Sequence, residues 1–333
     1  MHRFNLDIPT QAVVAGKLRR YHSMSAVGHL HPSILFPNFK DGFLVAIGVI
    51  QSFFKLILWR PDVIFAKGGY VCLPVGVAAR ILRIPLVIHD SDAHPGLTNR
   101  ILSKWAKMIG TGAPLEYYNY PKNKAHFVGI PTDEKFHRFS NQDKQQARTK
   151  WGINQEKPLI VITGGGLGAK RINNAVLAVL DDLLRLGSVI LISGAGQYDE
   201  LNAITPQNDD NFQLHGFISD DMVSLLGAAD IVITRAGATT VSELAALAKP
   251  TILVPNRELT GGHQVKNATV YQDKGAALVI DETLLQHEPK ILVEAVQTIL
   301  DNPHTTSEMV QEFTKFARPN AARDMARLIT DAI

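Results

Sequence analysis

Cysteine is nearly absent from this sequence: the 333 residues include only Cys72, so no disulfide can form within the chain. This usage fits a reducing compartment. Charge of one sign is also scarce, because 34 Lys and Arg are set against 31 Asp and Glu. The surplus of +3 is small and scattered, which argues against a nucleic-acid partner. No basic segment followed by an apolar run stands at the start, so we expect no export signal.

Apolar residues, by contrast, are plentiful. Hydrophobic residues make up 46% of the chain and charged residues 20%, which is typical of a globular protein with sizeable cores. Strands are predicted at residues 62–66, 86–90, 159–163 and 189–193, and helical segments lie between them, including one at 172–186. This alternation predicts an α/β protein with two doubly wound parallel sheets and a cleft between them.

A polar segment at residues 132–158 separates the two blocks and contains one predicted helix, at 141–151. We interpret this segment as the domain junction. The predicted division is a first domain at 1–135, a second at 136–318, and a C-terminal helix at 319–333 that we expect to pack back on the first domain.

One predicted helix, FLVAIGVIQSFFKLILW at residues 43–59, is unusually apolar. At ~1.5 Å per residue it spans about 26 Å, slightly less than the ~30 Å hydrocarbon core of a membrane. Its less apolar residues, Gly48, Gln51, Ser52 and Lys55, share one narrow stripe. Such a helix either packs in a core or lies partly in a membrane interface, and the sequence leaves both open.

Two glycine-containing segments follow predicted strands and suit a phosphorylated ligand. In GGGLG, residues 164–168, a diphosphate can approach the backbone at a helix start, although a tight turn without a ligand is the alternative. In RAGATTVSE, residues 235–243, Gly237 permits a tight turn and Thr239 favours a helix start. Glu243, further along, either accepts hydrogen bonds from ribose hydroxyls or is an ordinary solvated helix residue.

A third segment, at residues 252–268, is a strand followed by a polar loop and a helix start. Gln264 and Asn267 lie three residues apart on one helical face, and His263 precedes them. Side-chain amides suit sugar hydroxyls because they donate and accept at once. A capped, solvated helix start is the alternative.

Together these segments resemble the MurG family of bacterial glycosyltransferases, glycosyltransferase family 28. GGGLGAKRIN, RAGATTVSELA and GGHQVKNA are similar to the donor half of that family. AGKLRRY, RPDVIFAKGGYVCLPVGVAA and IPLVIHDSDAHPGLTNRIL are similar to its acceptor half, in order and at matching spacing. The resemblance covers nearly the entire chain and implies a GT-B fold, with two Rossmann-like domains around an interdomain cleft.

The resemblance also implies residue roles. Glu243 would hold the ribose of UDP, the two glycine segments would lie beside the diphosphate, and the 217–222 segment would recognise uracil. The implied donor-binding residues are Gly165, Gly166, Phe217, Ile218, Met222, Gly237, Ala238, Thr239, Glu243, His263 and Gln264. The implied acceptor-side residues are Gly68, Gly69, Tyr70 and Asp92, and the candidates for the catalytic base are Asp90 and His89.

The chain departs from the family pattern at several of these positions. Gly166 and Leu167 stand where the family has Ser-Gln, and the family's His-Glu-Gln-Asn is here residues 89–92, His-Asp-Ser-Asp. His263 replaces one of two glutamines, and GIPTDE, residues 129–134, lacks the arginine of the family's Asn-Pro-Val-Arg. The change to Gly166 and Leu167 removes two polar groups from the implied donor pocket.

The resemblance further predicts that the first domain is incomplete. The family begins with a strand and a glycine-histidine loop that this sequence does not show before AGKLRRY. We therefore expect unpaired backbone groups along two neighbouring strands. A truncated or misassigned start, a partner chain that supplies the unit, and a degenerate protein are the three explanations.

The implied function is inverting transfer of N-acetylglucosamine from UDP-N-acetylglucosamine to undecaprenyl-pyrophosphoryl-muramyl-peptide (lipid I), forming lipid II for peptidoglycan. The implied location is peripheral, on the cytoplasmic face of the cell membrane. Neither a cofactor nor a metal is expected, because helix amides near residues 237–240 would stabilise the departing UDP. The alternatives are a UDP-sugar-binding subunit or degenerate homologue that needs a partner, a related glycolipid glycosyltransferase, and a UDP-N-acetylglucosamine 2-epimerase, against which the apolar 43–59 segment argues.

Overall fold

The computed structural model describes residues 8–17, 32–165, 168–206, 209–219, 221–258 and 262–333, with the backbone alone at 32–37. These residues form a four-stranded parallel sheet followed by a six-stranded one. Helices connect the strands of both sheets, as the alternation in the sequence predicts.

The first sheet is built around one fully buried strand. Its elements are α1 (Pro32–Trp59), β1 (Ile64–Ala66), α2 (Cys72–Leu82), β2 (Leu86–Asp90), α3 (Leu97–Leu102), β3 (Met108–Thr111) and β4 (Ala125–Phe127). Every residue of β2 is buried, because helices or loops cover both faces of the strand. This burial explains the continuous apolar run that made β2 visible in the sequence.

The four strands pair consecutively in the order β1-β2-β3-β4. The expectation of unpaired groups along two neighbouring strands stays a prediction, because β1 has a partner on one side only. Among the described residues the ladder has no gap, because β1 pairs with β2 from Ile64 to Ala66 and β3 follows directly. The strands with only one partner are the two outer ones, β1 and β4.

Helix α1 packs with its less apolar side inward. Gly48 and Ser52 are buried, and a Cβ at Gly48 would lie 2.0 Å from the carbonyl oxygen of Val14. On the opposite side Phe54 is 60% exposed and Leu58 86% exposed. The 22-residue stretch Asn38–Trp59 is long and apolar enough to cross a membrane. Of its most apolar 18 residues, 17% are buried inside the protein. Within the described part of the chain, the apolar side of α1 is thus not part of a protein core.

The second sheet has the doubly wound order β10-β9-β8-β5-β6-β7. Its elements are α4 (Asn141–Lys150), β5 (Leu159–Thr163), α5 (Lys170–Ala178), α6 (Leu180–Leu186), β6 (Ser188–Ile192), α7 (Tyr198–Asn202), β7 (Phe212–His215), α8 (Met222–Ala228), β8 (Ile231–Thr234), α9 (Ala238–Ala246), β9 (Thr251–Leu253), α10 (His263–Asp273), β10 (Leu278–Val279), α11 (Glu282–His287), α12 (Ile291–Asp301), α13 (Pro303–Thr314) and α14 (Ala321–Thr330). The chain runs outward from β5 and then returns to lay β8 beside it, so the strand order reverses between β5 and β8. Ligands of such sheets bind at this point, outside the carboxyl ends of the strands.

The helix predicted at residues 172–186 is two helices. Val179 leaves the helical conformation, with φ −127° and ψ 21°, and its N–H bonds to the carbonyl of Val176. Val179 and Leu180 are both buried against the same core cluster. Periodicity alone did not reveal the break, because both halves keep their apolar residues on the sheet-facing side.

The last helix, α14, crosses back to the first sheet. Met325 and Leu328 pack with Val87 and Val128 of that sheet, and the Lys107 ammonium donates a hydrogen bond of 2.8 Å to the carbonyl of Ala332. These contacts agree with a C-terminal helix that packs back on the first domain. The domain boundaries at residues 135 and 318 remain a proposal.

Candidate active site

Two glycine turns open at the point where the order of the second sheet reverses. Gly165 follows β5 with φ +79°, and Gly237 precedes α9 after β8. A Cβ added to either glycine would meet no heavy atom within 4 Å, so side chains do not fill these turns. Gly166, which the resemblance also implies as a donor-binding residue, lies outside the described residues. The two turns therefore leave backbone accessible at the edge where doubly wound sheets bind ligands.

The start of α9 presents free backbone amides at this edge. The first turn begins with the N–H of Val241 bonded to the carbonyl of Gly237, and no side chain caps the helix. The amides of Ala238 and Thr239 consequently have no partner within the helix. Unpaired N–H groups and the positive end of the helix dipole suit an anion.

Arg235, beside this helix start, is directed into the protein. Its guanidinium donates to the carbonyl of Val254 at 3.1 Å and pairs with Glu282, which is 1% exposed. Arg171 also contacts Glu282, at 3.1 Å. Because Glu282 pairs with both guanidinium groups and Glu258 also pairs with Arg171, the backbone amides of α9 remain the donors best placed for an anion.

Glu243 lies one and a half turns into α9, half-buried. Its burial, and then the negative charge of Asp133 from the domain junction, raise the pKa of the Glu243 carboxyl to about 7. Asp133 belongs to GIPTDE, the segment that lacks the arginine of the family pattern. The structure thus places a negative charge near Glu243.

The 217–222 segment, for which the resemblance implies uracil recognition, follows the outer strand β7. Phe217 is 55% exposed, whereas Ile218 and Met222 pack partly against a core cluster of the second domain.

His263 and Gln264 open α10 from a left-handed Gly262, whose φ is +61°. The side-chain oxygen of Gln264 accepts a 2.9 Å hydrogen bond from the N–H of Asn256. This bond connects the helix start to the loop that follows β9.

The acceptor-side residues line a cavity of about 340 Å³ at the carboxyl end of β2. Gly68 and Gly69 both have positive φ, 89° and 82°, which glycine adopts without strain. The cavity is lined by Gly16, Lys17, Lys67, Gly68, Gly69, Tyr70, Leu73, Asp90, Ser91, Asp92, Gly96, Leu97, Thr98, Asn99 and His263. His263 is the member that comes from the second domain, so the cavity lies where the two domains meet.

Asp90 and His89, the two candidate bases, differ in their access to this cavity. Asp90 lines it, and burial raises the pKa of its carboxyl to about 7. His89 is fully buried: its Nε2 donates to the carbonyl of Gly129 at 2.8 Å, and Ser91 Oγ lies 3.3 Å from Nδ1. With both ring nitrogens engaged, His89 is placed to hold the end of β2 and not to meet a substrate, which favours Asp90.

Two polar partners of this site, Tyr120 and Asn99, had no distinctive sequence signal. Tyr120 donates a 2.8 Å hydrogen bond to Asp90 Oδ2, and Asn99 also bonds to the Asp90 carboxyl. Asn267 was visible as an amide on the face of Gln264, but its partners are in the other domain. Its amide accepts from the N–H of Ala93 at 2.9 Å and donates to Asp92 Oδ1 at 2.9 Å.

Two departures from the family pattern lie against each other. His263 Nδ1 is 3.7 Å from Asp92 Oδ2, across the boundary between the domains. Asn267 Nδ2 also donates to the carbonyl of Ala236, in the turn before α9. The Asp92 carboxylate therefore lies near His263 at the start of α10 and is connected through Asn267 to the turn before α9. Within the described ranges, His, Cys, Asp and Glu side chains form no group of three or more that could hold a metal ion.

Family models match both halves of the chain. Residues 10–111 match the glycosyltransferase family 28 N-terminal domain, and residues 159–325 match the family 28 C-terminal domain. The chain belongs to glycosyltransferase family 28. Its fold is GT-B, with two parallel-sheet α/β domains.

Curated family 28 relatives are similar over most of their length. A protein of Clostridium perfringens named UDP-N-acetylglucosamine–N-acetylmuramyl-(pentapeptide) pyrophosphoryl-undecaprenol N-acetylglucosamine transferase is 35% identical over 297 residues, which are 89% of this chain and 77% of the relative. A Bacillus anthracis protein with the same name, numbered 2, is 33% identical over 83% of this chain and 73% of its own.

Solved structures agree with this family 28 membership. The crystal structure of Acinetobacter baumannii MurG superposes with a TM-score of 0.72 at 28% identity, covering 87% of this chain and 79% of that one. A UDP-GlcNAc 2-epimerase from Neisseria meningitidis, bound to UDP-GlcNAc, has a TM-score of 0.63 at 14% identity, covering 86% and 81%. At that identity the likeness shows the fold alone.

Proposed function

We propose that this protein transfers N-acetylglucosamine from UDP-N-acetylglucosamine to the muramyl sugar of lipid I, producing lipid II for peptidoglycan. The observation that carries the proposal is 35% identity over 89% of the chain to a transferase named for this reaction. The open glycine turns beside a cavity between the two domains agree with it.

The donor is assigned to the second domain. The diphosphate of UDP lies against the Gly165 turn and the amides of Ala238 and Thr239, and Glu243 accepts hydrogen bonds from the ribose. Uracil lies over Ile218 and Met222, with Phe217 at its rim. Gln264 and His263 meet the hydroxyls of N-acetylglucosamine.

The acceptor is assigned to the cavity of Gly68, Gly69, Tyr70, Asp90 and Asp92. The acceptor hydroxyl oxygen forms a bond to the anomeric carbon while the bond from that carbon to the diphosphate oxygen breaks, and UDP leaves with the electron pair. Attack from the face opposite to UDP inverts the anomeric configuration. Asp90, when ionised, takes the hydroxyl proton. Amides at the start of α9 stabilise the charge that develops on UDP.

The same proposal places the protein on the cytoplasmic face of the cell membrane, without spanning it. Lipid I has an undecaprenyl chain that stays in the bilayer, so only its headgroup can enter the cavity. The outward side of α1 exposes Phe43, Phe54, Leu58 and Trp59, all at least 60% accessible. An apolar helix side that no described residue of this chain covers suits the boundary between headgroups and acyl chains.

Transfer by the purified protein tests this function. Vesicles that carry lipid I are mixed with UDP-N-acetylglucosamine labelled in the sugar, and lipid-linked label and free UDP are measured together. We expect the two to appear in equal amounts. UDP-sugar binding without any transfer would contradict the proposed enzyme and would support the alternative of a binding subunit.

A further inference from the structure

Asp92 is held in place by the second domain although it belongs to the first. Its Oδ1 accepts a 2.9 Å hydrogen bond from Asn267, and Asn267 is 3% exposed and also bonded to Ala93 and Ala236. A carboxylate fixed by a buried amide has a defined direction for its other oxygen. That oxygen, Oδ2, points to the imidazole of His263 at 3.7 Å.

The ring of His263 has one shielded and one accessible edge. Nδ1 is buried and has no hydrogen-bond partner among the described residues, and Asp92 Oδ2 is the carboxylate near it. The ring also lines the cavity, and the side chain keeps 30% of its accessible surface. The Nε2 edge is therefore the one that a ligand in the cavity can meet.

A neutral imidazole donates from one nitrogen and accepts at the other, and a neighbouring acceptor decides which nitrogen carries the proton. A carboxylate beside Nδ1 favours the tautomer with the proton on Nδ1. Nε2 then has a lone pair for a sugar O–H. A shift of about 1 Å, of the size that side chains make on ligand binding, would bring Nδ1 and Oδ2 into hydrogen-bond range.

We propose that Asp92 is a positioning residue for the donor sugar, which acts through His263: its carboxylate orients the imidazole and fixes the tautomer in which Nε2 accepts a hydrogen bond from an N-acetylglucosamine hydroxyl. This inference rests on the proposed function, because it assigns the sugar of UDP-N-acetylglucosamine to the His263 edge of the cavity. It makes a residue of the acceptor domain a determinant of donor binding.

The tautomer can be measured without any ligand. Nitrogen-15 NMR of the imidazole distinguishes a protonated Nδ1 from a protonated Nε2. Above pH 8 we expect Nδ1–H to dominate for His263 in the parent protein. We expect a mixture of tautomers in Asp92→Asn. An unchanged tautomer in this variant would overturn the proposed positioning, whatever the protein binds.

Binding of UDP-N-acetylglucosamine and UDP, compared by calorimetry, tests the consequence for the ligand. We expect Asp92→Asn to weaken UDP-N-acetylglucosamine binding about five- to tenfold, the range of one lost hydrogen bond, and to leave UDP binding unchanged. The matched control is Asp273→Asn, at the exposed far end of the same helix α10. Thermal melting of each variant shows that it is folded.

A double-mutant cycle connects Asp92 to His263. In His263→Ala the imidazole is gone, so adding Asp92→Asn should cause no further loss. In His263→Gln the amide donates and accepts without a tautomer, so Asp92→Asn should again have no effect. Equal weakening of UDP and UDP-N-acetylglucosamine by Asp92→Asn, or additive losses with His263→Ala, would overturn the inference. A parent protein that binds neither compound would instead overturn the proposed function.

Discussion

Tyr120 donates a hydrogen bond of 2.8 Å to Oδ2 of Asp90, at the end of a strand that is otherwise closed to solvent. The bond stabilises the ionised carboxylate and so opposes burial, which raises the pKa of Asp90 to about 7. Tyr118 stacks on Tyr120 with ring centroids 5.6 Å apart and fixes its direction. The pKa of Asp90 therefore lies near neutral pH, in a site where its carboxylate can accept a proton.

Tyr120→Phe removes this hydrogen bond and should raise the pKa of Asp90 further. A lost bond of about 1 kcal/mol corresponds to roughly 0.7 pH units. We expect the acidic limb of the pH profile of kcat/KM for transfer to move to higher pH by this amount. Tyr117→Phe, three residues away and without a bond to Asp90, is the control. An acidic limb that stays in place would show that Asp90 does not take the proton.

Glu243→Ala should weaken UDP binding by about 1 to 3 kcal/mol, because the ribose hydroxyls lose a charge-assisted acceptor. Calorimetry with UDP measures the change. Glu200→Ala, on an exposed helix of the same domain, is the matched control. Equal affinity of Glu243→Ala and the parent would remove Glu243 from the donor site.

Glu243 also gives the folding stability a defined pH dependence. The pKa of its carboxyl is raised from 4.5 to about 7 on folding. The folded state therefore holds the proton more tightly than the unfolded state, and this contribution is full below pH 4.5 and lost as the pH rises through 7. Glutamine does not titrate, so Glu243→Gln should melt higher relative to the parent at pH 8 than at pH 4. Parallel melting curves across this range would contradict the buried, protonated carboxyl.

Asp133→Asn should strengthen UDP binding. Its charge is the second cause of the raised pKa of Glu243, so it also acts on a ribose and diphosphate bound there. Asp133 is exposed and its effect is screened, so we expect a gain of at most about fivefold that shrinks with added salt. Calorimetry at low and high salt measures it, with Asp199→Asn as the control. Weaker binding of UDP by Asp133→Asn would show that this carboxylate contacts the ligand favourably.

Phe54→Glu and Leu58→Glu should reduce association with membranes. Each places a charge on the outward side of α1, where burial among acyl chains is costly. Flotation with vesicles that contain anionic lipids measures the bound fraction, and UDP binding should stay the same. Ile204→Glu, at an exposed apolar residue of the second domain, is the control. Flotation equal to the parent would rule out α1 as the membrane-facing surface.

Much of the fold was predictable because its signals are local. The buried strands β2 and β5 appear as short apolar runs, Leu86–Asp90 and Leu159–Thr163, since helices cover both faces of a parallel sheet. The turns around Gly165 and Gly237 were visible because glycine after a strand marks a place where backbone approaches a ligand. The break at Val179 was not, because it leaves the apolar period of both helices intact.

The sequence by itself determined the two parallel sheets, the order of their strands along the chain and the glycine turns, because each depends on residues close together in the chain. The tertiary structure decided which side of α1 packs inward and why the pKa of Asp90 is raised. It also decided that Asp92 meets His263, and meets Asn267 across 175 positions of sequence. These depend on which surfaces pack together. Periodicity shows that a helix has two sides, but only packing decides what each side contacts.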